Sequence, residues 1–119
     1  MICVYSEPEH FEMIRSWGGP IDRRLLGSGL IKPDVACLFA GVIGGTQMVL
    51  LHDARTNPRA GAGARVRALK EICEQVIETC KAVGCVSLLA TTKNDVVARF
   101  LAERAGLSAM ADTVYTGSV

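Results

Sequence analysis

The stretch from Ala64 to Val83 constrains this chain most. Its apolar residues Val66, Leu69, Ile72, Cys73, Val76, Ile77, Cys80 and Val83 recur at intervals of three and four. That spacing gathers them on one side of a helix with 3.6 residues per turn. An amphipathic helix of about twenty residues is predicted, ended by Gly84. A stripe that long has to be covered, and the flanking sequence offers strands to cover it.

Ahead of the helix, Val35-Ala36-Cys37-Leu38-Phe39-Ala40-Gly41-Val42-Ile43 reads as a buried strand. Gly44-Gly45 is a hairpin turn of the kind that needs positive φ, and Gln47–His52 is the returning antiparallel strand. A loop rich in breakers, Asp53 to Gly63, leads into the helix. Beyond Gly84, Cys85–Thr91 is a further strand. Asn94 or Asp95 caps a helix carrying Val96, Val97, Phe100, Leu101 and Ala105, closed by Gly106. Thr113–Thr116 is a last, edge strand, whose open side offers a route to a homodimer.

The N-terminal third is less regular. Residues 2–5 read as a short strand. Ser6 and Glu9 then have capping-box spacing, and Pro8 in the first turn costs no hydrogen bond. Phe11, Ile14 and Trp17, with Met13 beside them, give a short helix its apolar side, ended by Gly18-Gly19-Pro20. Ile21, Leu25, Leu26 and Leu30 are compatible with a second short helix, broken by Gly27 and Gly29. The order βα(α)ββαβαβ indicates an α/β sandwich around a mixed sheet.

Composition narrows the function classes. A chain of 119 residues is expected to form one domain. Half of it is hydrophobic and a fifth charged, which excludes disorder. No apolar run approaches the ~20 residues of a membrane span. Met1–Tyr5 lacks the features of a signal peptide, so a cytoplasmic location is expected. The net charge of +1 argues against nucleic acid as a partner. Five cysteines without a C-x-x-C pair are read as reduced, buried thiols, neither disulfide framework nor zinc site. Glu7, Glu9, His10 and Glu12 give no convergent ligand face, so no metal site is expected there. They read as a solvated helix start.

Any chemistry should centre on Asn57-Pro58-Arg59-Ala60-Gly61-Ala62-Gly63-Ala64-Arg65. Small residues leave the backbone open to a ligand. The following helix points its unpaired N–H groups and positive dipole end into the turn, which suits a phosphate or pyrophosphate. Arg55, Arg59, Arg65, Arg67 and Lys70 add charge. No Gly-Lys-Ser/Thr follows, so this is not a Walker A loop. The antiparallel strand before it disfavours a dinucleotide fingerprint.

Residues 49–107 resemble the GNAT superfamily of acyl-coenzyme A-dependent N-acetyltransferases. The resemblance runs through the strand Met48–Leu51, the turn Arg59–Ala64, the long helix, Gly84-Cys85 with its strand, and Asn94…Phe100…Ala105-Gly106-Leu107. It implies a GNAT-like three-layer sandwich, a mixed, mainly antiparallel sheet flanked by helices. It also implies acetyl-CoA as cosubstrate and acetyl transfer to a primary amine. In the turn, Arg59-x-x-Ala62-x-Ala64 keeps the family's basic residue and is preferred. Pro58-x-x-Gly61-x-Gly63 keeps its glycines. The family's frequent Phe-Tyr is Phe100-Leu101 here, so a tyrosine acid is missing from that helix. A looser resemblance is to compact GNAT-like virion and assembly proteins of bacteriophages. That implies an alternative, an inactive structural or interaction protein with a protein partner, placed in a virion or host cytoplasm.

The resemblance assigns coenzyme contacts to Leu50 and Leu51, whose strand backbone would hold the thioester carbonyl, to Arg59, Ala60, Gly61, Ala62, Gly63, Ala64 and Arg65 around the pyrophosphate, and to Asn94 and Phe100. His52 and Asp53, at the strand end, are the candidate bases for the amine. Tyr115 is the candidate acid in place of the missing tyrosine.

Overall fold

A computed structural model describes residues 1–19, 21–42, 47–85, 87–91, 94–105, 108–111 and 114–118, the last two segments by backbone alone. The chain runs β1 (Cys3–Val4), α1 (Glu7–Ser16), a 3-10 turn at Arg23–Leu25, β2 (Gly29–Lys32), β3 (Ala36–Val42), β4 (Met48–Thr56), α2 (Ala62–Ala82), β5 (Ser87–Thr91), α3 (Asp95–Ala105), β6 (Ser108–Ala111) and β7 (Val114–Ser118). The strands form one sheet in the order β1-β2-β3-β4-β5-β7-β6. β4 and β5, joined through α2, pair in parallel, and the other neighbours are antiparallel.

Strand alternation sorts the side chains into two cores. Ala36 and Leu38 of β3 face α2 and α3 with Val49, Leu51, Leu88 and Ala90, against Leu69, Ile72, Ile77, Val97 and Leu101. Cys37 and Phe39, one residue out of phase, face α1 with Ile14, Trp17 and Ile31. Helices on both faces of a mixed, mainly antiparallel sheet make the expected three-layer α/β sandwich.

Several expectations are corrected. The second short helix is a 3-10 turn, and Leu30 lies on strand β2, paired with Leu38. Ser108–Ala111 is a further strand, so β7 is flanked by β5 and β6 and has no open edge for the dimer contact. The loop from Asp53 starts later, because β4 runs on to Thr56. The α1 start is not simply solvated. His10 is 6% exposed, and its Nδ1 accepts the Ser6 N–H at 2.9 Å. Ser6 makes no side-chain cap bond. The imidazole thus does what the capping box assigns to Glu9. Gly44-Gly45, Val86 and Gly106 lie outside the described residues.

Among the described residues no helix is long and apolar enough to cross a membrane, and no group of three or more His, Cys, Asp or Glu side chains is placed to hold a metal.

Candidate functional site

The site starts from a break in strand pairing. Residues Met48 to Leu51 of β4 pair with Ser87 to Ala90 of β5, and the pairing stops there while β4 continues. Beyond it, the ladder with β3 shifts: Cys37 pairs with Arg55, but Phe39 with His52. Three steps on β4 against two on β3 is a β-bulge, and Asp53 takes the left-handed conformation at φ 51°. A carboxylate side chain tolerates that region better than most.

The bulge places His52 and Asp53 together on the α1 side. His52 Nδ1 lies 2.7 Å from Asp53 Oδ2. A carboxylate only accepts, so Nδ1 carries the proton and a neutral ring keeps its lone pair on Nε2. The His52 ring packs on Phe39 at 5.9 Å, and Phe39 on Tyr5 at 4.8 Å. Arg55 Nη2 donates to Asp53 Oδ1 at 3.5 Å, while Nη1 donates to the Gly18 carbonyl at 3.3 Å. Asp53 therefore bridges the imidazole and a guanidinium that reaches the end of α1. Burial pushes the neighbouring Tyr5 phenol up, with Glu7 adding to the shift, and raises the Cys37 thiol to about 12.

A cleft of about 170 Å³ opens on the other face of β4, lined by Thr56, Ala62, Arg65, Val66, Leu69, Asn94 and Val96. Two helix starts converge on it. Asn57 ends the strand in a turn: its Oδ1 accepts the Arg59 N–H at 2.9 Å, and its carbonyl accepts the Ala60 N–H at 3.0 Å. Gly61 then serves as the α2 N-cap and brings no side chain to its first turn. α3 differs, because Asn94 Oδ1 accepts the Val96 and Val97 N–H groups at 3.0 and 3.2 Å. Arg65 Nε is buried with no hydrogen-bond partner among the described residues. An uncapped helix start beside an unpartnered guanidinium nitrogen is chemically suited to an anion.

The residues singled out from sequence are thus divided. Ala62, Arg65 and Asn94 line the cleft. Gly61 and Gly63 are exposed at its rim, and Ala60 and Ala64 are half-buried. Arg59 projects beside the turn, exposed. Leu51 is buried against α2, Leu50 is half-buried, and Phe100 packs against the α2-side core. Tyr115 pairs with Ala90, level with the point where β4 and β5 part. Its side chain lies outside the described ones. Sequence reasoning missed Arg55 and Phe39 as supports of the His52–Asp53 pair. The signal was alternation, since Arg55 follows Asp53 by two on a strand.

The architecture is the GNAT-like α/β sandwich. Solved structures of N-acetylglutamate synthase from Neisseria gonorrhoeae share it. One, complexed with coenzyme A and N-acetyl-glutamate, superimposes with a TM-score of 0.61 at 12% identity, covering 99% of this chain and 35% of the synthase. Another, complexed with coenzyme A and L-arginine, gives 0.65 at 13% identity, covering 99% and 33%. The chain thus spans about a third of the length of these synthase chains. No family model and no curated protein matches the sequence.

Proposed function

We infer that the chain binds an acyl-coenzyme A and transfers its acetyl group to a primary amine. The observation that carries this reading is the Arg65 Nε, buried and without a hydrogen-bond partner among the described residues, at a start of α2 that no side chain caps. Coenzyme A bound to the structurally similar synthases supports the choice of ligand. The pyrophosphate would sit against the first α2 amides, Ala62 to Ala64, with Arg65 and Arg59 supplying charge. Asn94 and Phe100 would border the rest of the coenzyme.

Transfer needs a free amine, a polarised carbonyl and a stabilised thiolate. The amine would approach from the α1 side, where His52 Nε2 is the open base and Asp53 orients the ring. The coenzyme would lie on the α2 side. The two meet where β4 leaves β5, and backbone N–H groups around Leu50 to His52 would polarise the carbonyl. Tyr115, at that height on β7, is the proposed acid.

A thermal-shift titration with acetyl-CoA, backed by calorimetry, tests the coenzyme site. At a hundredfold excess over Kd, linkage gives about 2.7 kcal/mol. In a domain of this size the melting temperature should rise by roughly 10 °C. Arg65→Glu should abolish the rise while leaving the unliganded melting temperature within a few degrees. Absence of any shift at millimolar coenzyme would overturn the reading and leave an interaction scaffold on the same fold. Where binding holds, His52→Gln should lower thiol release with a panel of amines and leave coenzyme affinity unchanged. Equal turnover would remove His52 as the base.

A further inference from the structure

The other end of α2 carries a feature that coenzyme binding does not use. An apolar cavity of about 340 Å³ opens there between the helix and the sheet, walled by Leu30, Leu38, Val49 and Val76. Cys80 and Cys85 also line it, and both are free thiols. The helix terminus brings them together. Val83 caps α2, Gly84 turns at φ 81°, and its N–H donates to the Lys81 carbonyl at 3.3 Å. The Cys85 N–H then donates back to the Cys80 carbonyl at 2.9 Å. This is the Schellman arrangement, which sets the side chains of its first and last residues against each other. That contact is usually aliphatic. Here both of those positions are cysteines. Cys80 is 5% exposed, whereas Cys85 is half-buried and the more accessible.

We propose that Cys80 and Cys85 form a dithiol site that a glutathione-type disulfide oxidises reversibly to an intramolecular disulfide. The Cys85 thiolate attacks one sulfur of the oxidant, forming a mixed disulfide and releasing one glutathione thiolate. The Cys80 thiolate then attacks the Cys85 sulfur, forming the internal bond and releasing the second. The protein loses two electrons and two protons, and one glutathione disulfide becomes two glutathione thiols. The product staples the last turn of α2 to the start of β5. Burial holds the Cys80 thiol up at about 11, which lowers the thiolate fraction available for the second step.

The folded chain is equilibrated with reduced and oxidised glutathione over a series of ratios, then acid-quenched and mapped with trypsin. Cleavage after Lys81 separates the two cysteines, so a disulfide between them is read as two peptides held together until reduced. The expected result is an intact mass lower by two hydrogens and fragmentation that assigns the bond to Cys80 and Cys85. In Cys80→Ser the reaction should stall as a glutathione adduct on Cys85. Two alkylatable thiols at every ratio, or a bond to Cys3, Cys37 or Cys73 instead, would overturn the proposal. So would the absence of an adduct in a folded Cys80→Ser chain. Should that variant not fold, the wild-type map decides. Acetyl-CoA plays no part in either readout.

Discussion

Cys37 and Cys73 sit where a charge is costly, one against each face of the sheet. Burial raises both thiols from 9.0 to about 12, with Arg55 pulling Cys37 back a little and Glu74 adding to Cys73. The unfolded chain loses these protons near the ordinary value, and the folded chain keeps them. Above pH ~9 the unfolded state therefore binds fewer protons, so stability falls with rising pH until the folded thiols also ionise. The loss approaches about 1.4 kcal/mol per pH unit for each thiol. Urea unfolding between about pH 8 and 10 should show a shallower decline in Cys73→Ala than in wild type. Parallel declines would contradict the burial argument. Cys73 was legible in the sequence, because helical spacing alone puts it on the apolar side. Asp53 was not. A bulge is a property of two strands, and nothing in His52-Asp53-Ala54 reveals that β3 opposite is one residue short.

Among the elements, the long helix and the β3–β4 pair were read correctly because their apolar patterns repeat long enough to define a period. β2 and β6 were missed because four residues cannot. Gly29-Leu30-Ile31-Lys32 has apolar residues on both faces, and only pairing with β3 makes it a strand. The glycine-rich turn and Arg65 were legible as a candidate phosphate site, but the burial of the Arg65 Nε without a hydrogen-bond partner among the described residues was not, since it depends on tertiary packing. Two glycines test the elements separately. A Cβ on Gly84 would meet no atom within 4 Å, so Gly84→Ala feels only the positive φ of the α2 cap. A cost of about 1–2 kcal/mol is expected. A Cβ on Gly29 would stand 2.7 Å from Phe39 Cδ1 and 2.9 Å from the Leu38 carbonyl oxygen. The second of these is backbone of the paired strand and cannot turn aside. Gly29→Ala should therefore destabilise more than Gly84→Ala in chemical denaturation. The reverse order would mean that β2 is not held against β3 as described.

The whole molecule is two cores on the two faces of one sheet, and β3 gives fully buried side chains to both, which decides how it unfolds. Trp17 is the single tryptophan, 7% exposed in the α1-side core, so its fluorescence reports that layer. Far-UV circular dichroism is weighted toward α2 and α3, with 21 and 11 residues on the opposite face against 10 in α1. Were the layers independent, α1 would open first, having the smaller core. β3 argues otherwise. Ala36 and Leu38 are buried under α2, and Cys37 and Phe39, alternating with them, are buried under α1. Neither layer can lose its strand without exposing the other's side chains. Fluorescence and circular dichroism should accordingly give coincident urea transitions. Leu38→Ala sharpens the test, because Leu38 belongs to the α2-side core alone and its truncation should cost about 2–5 kcal/mol. If β3 couples the layers, the Trp17 midpoint moves as far as the dichroism midpoint. A Trp17 transition that stays in place, or that precedes the loss of helix in wild type, would show that α1 and its core open as a separate unit.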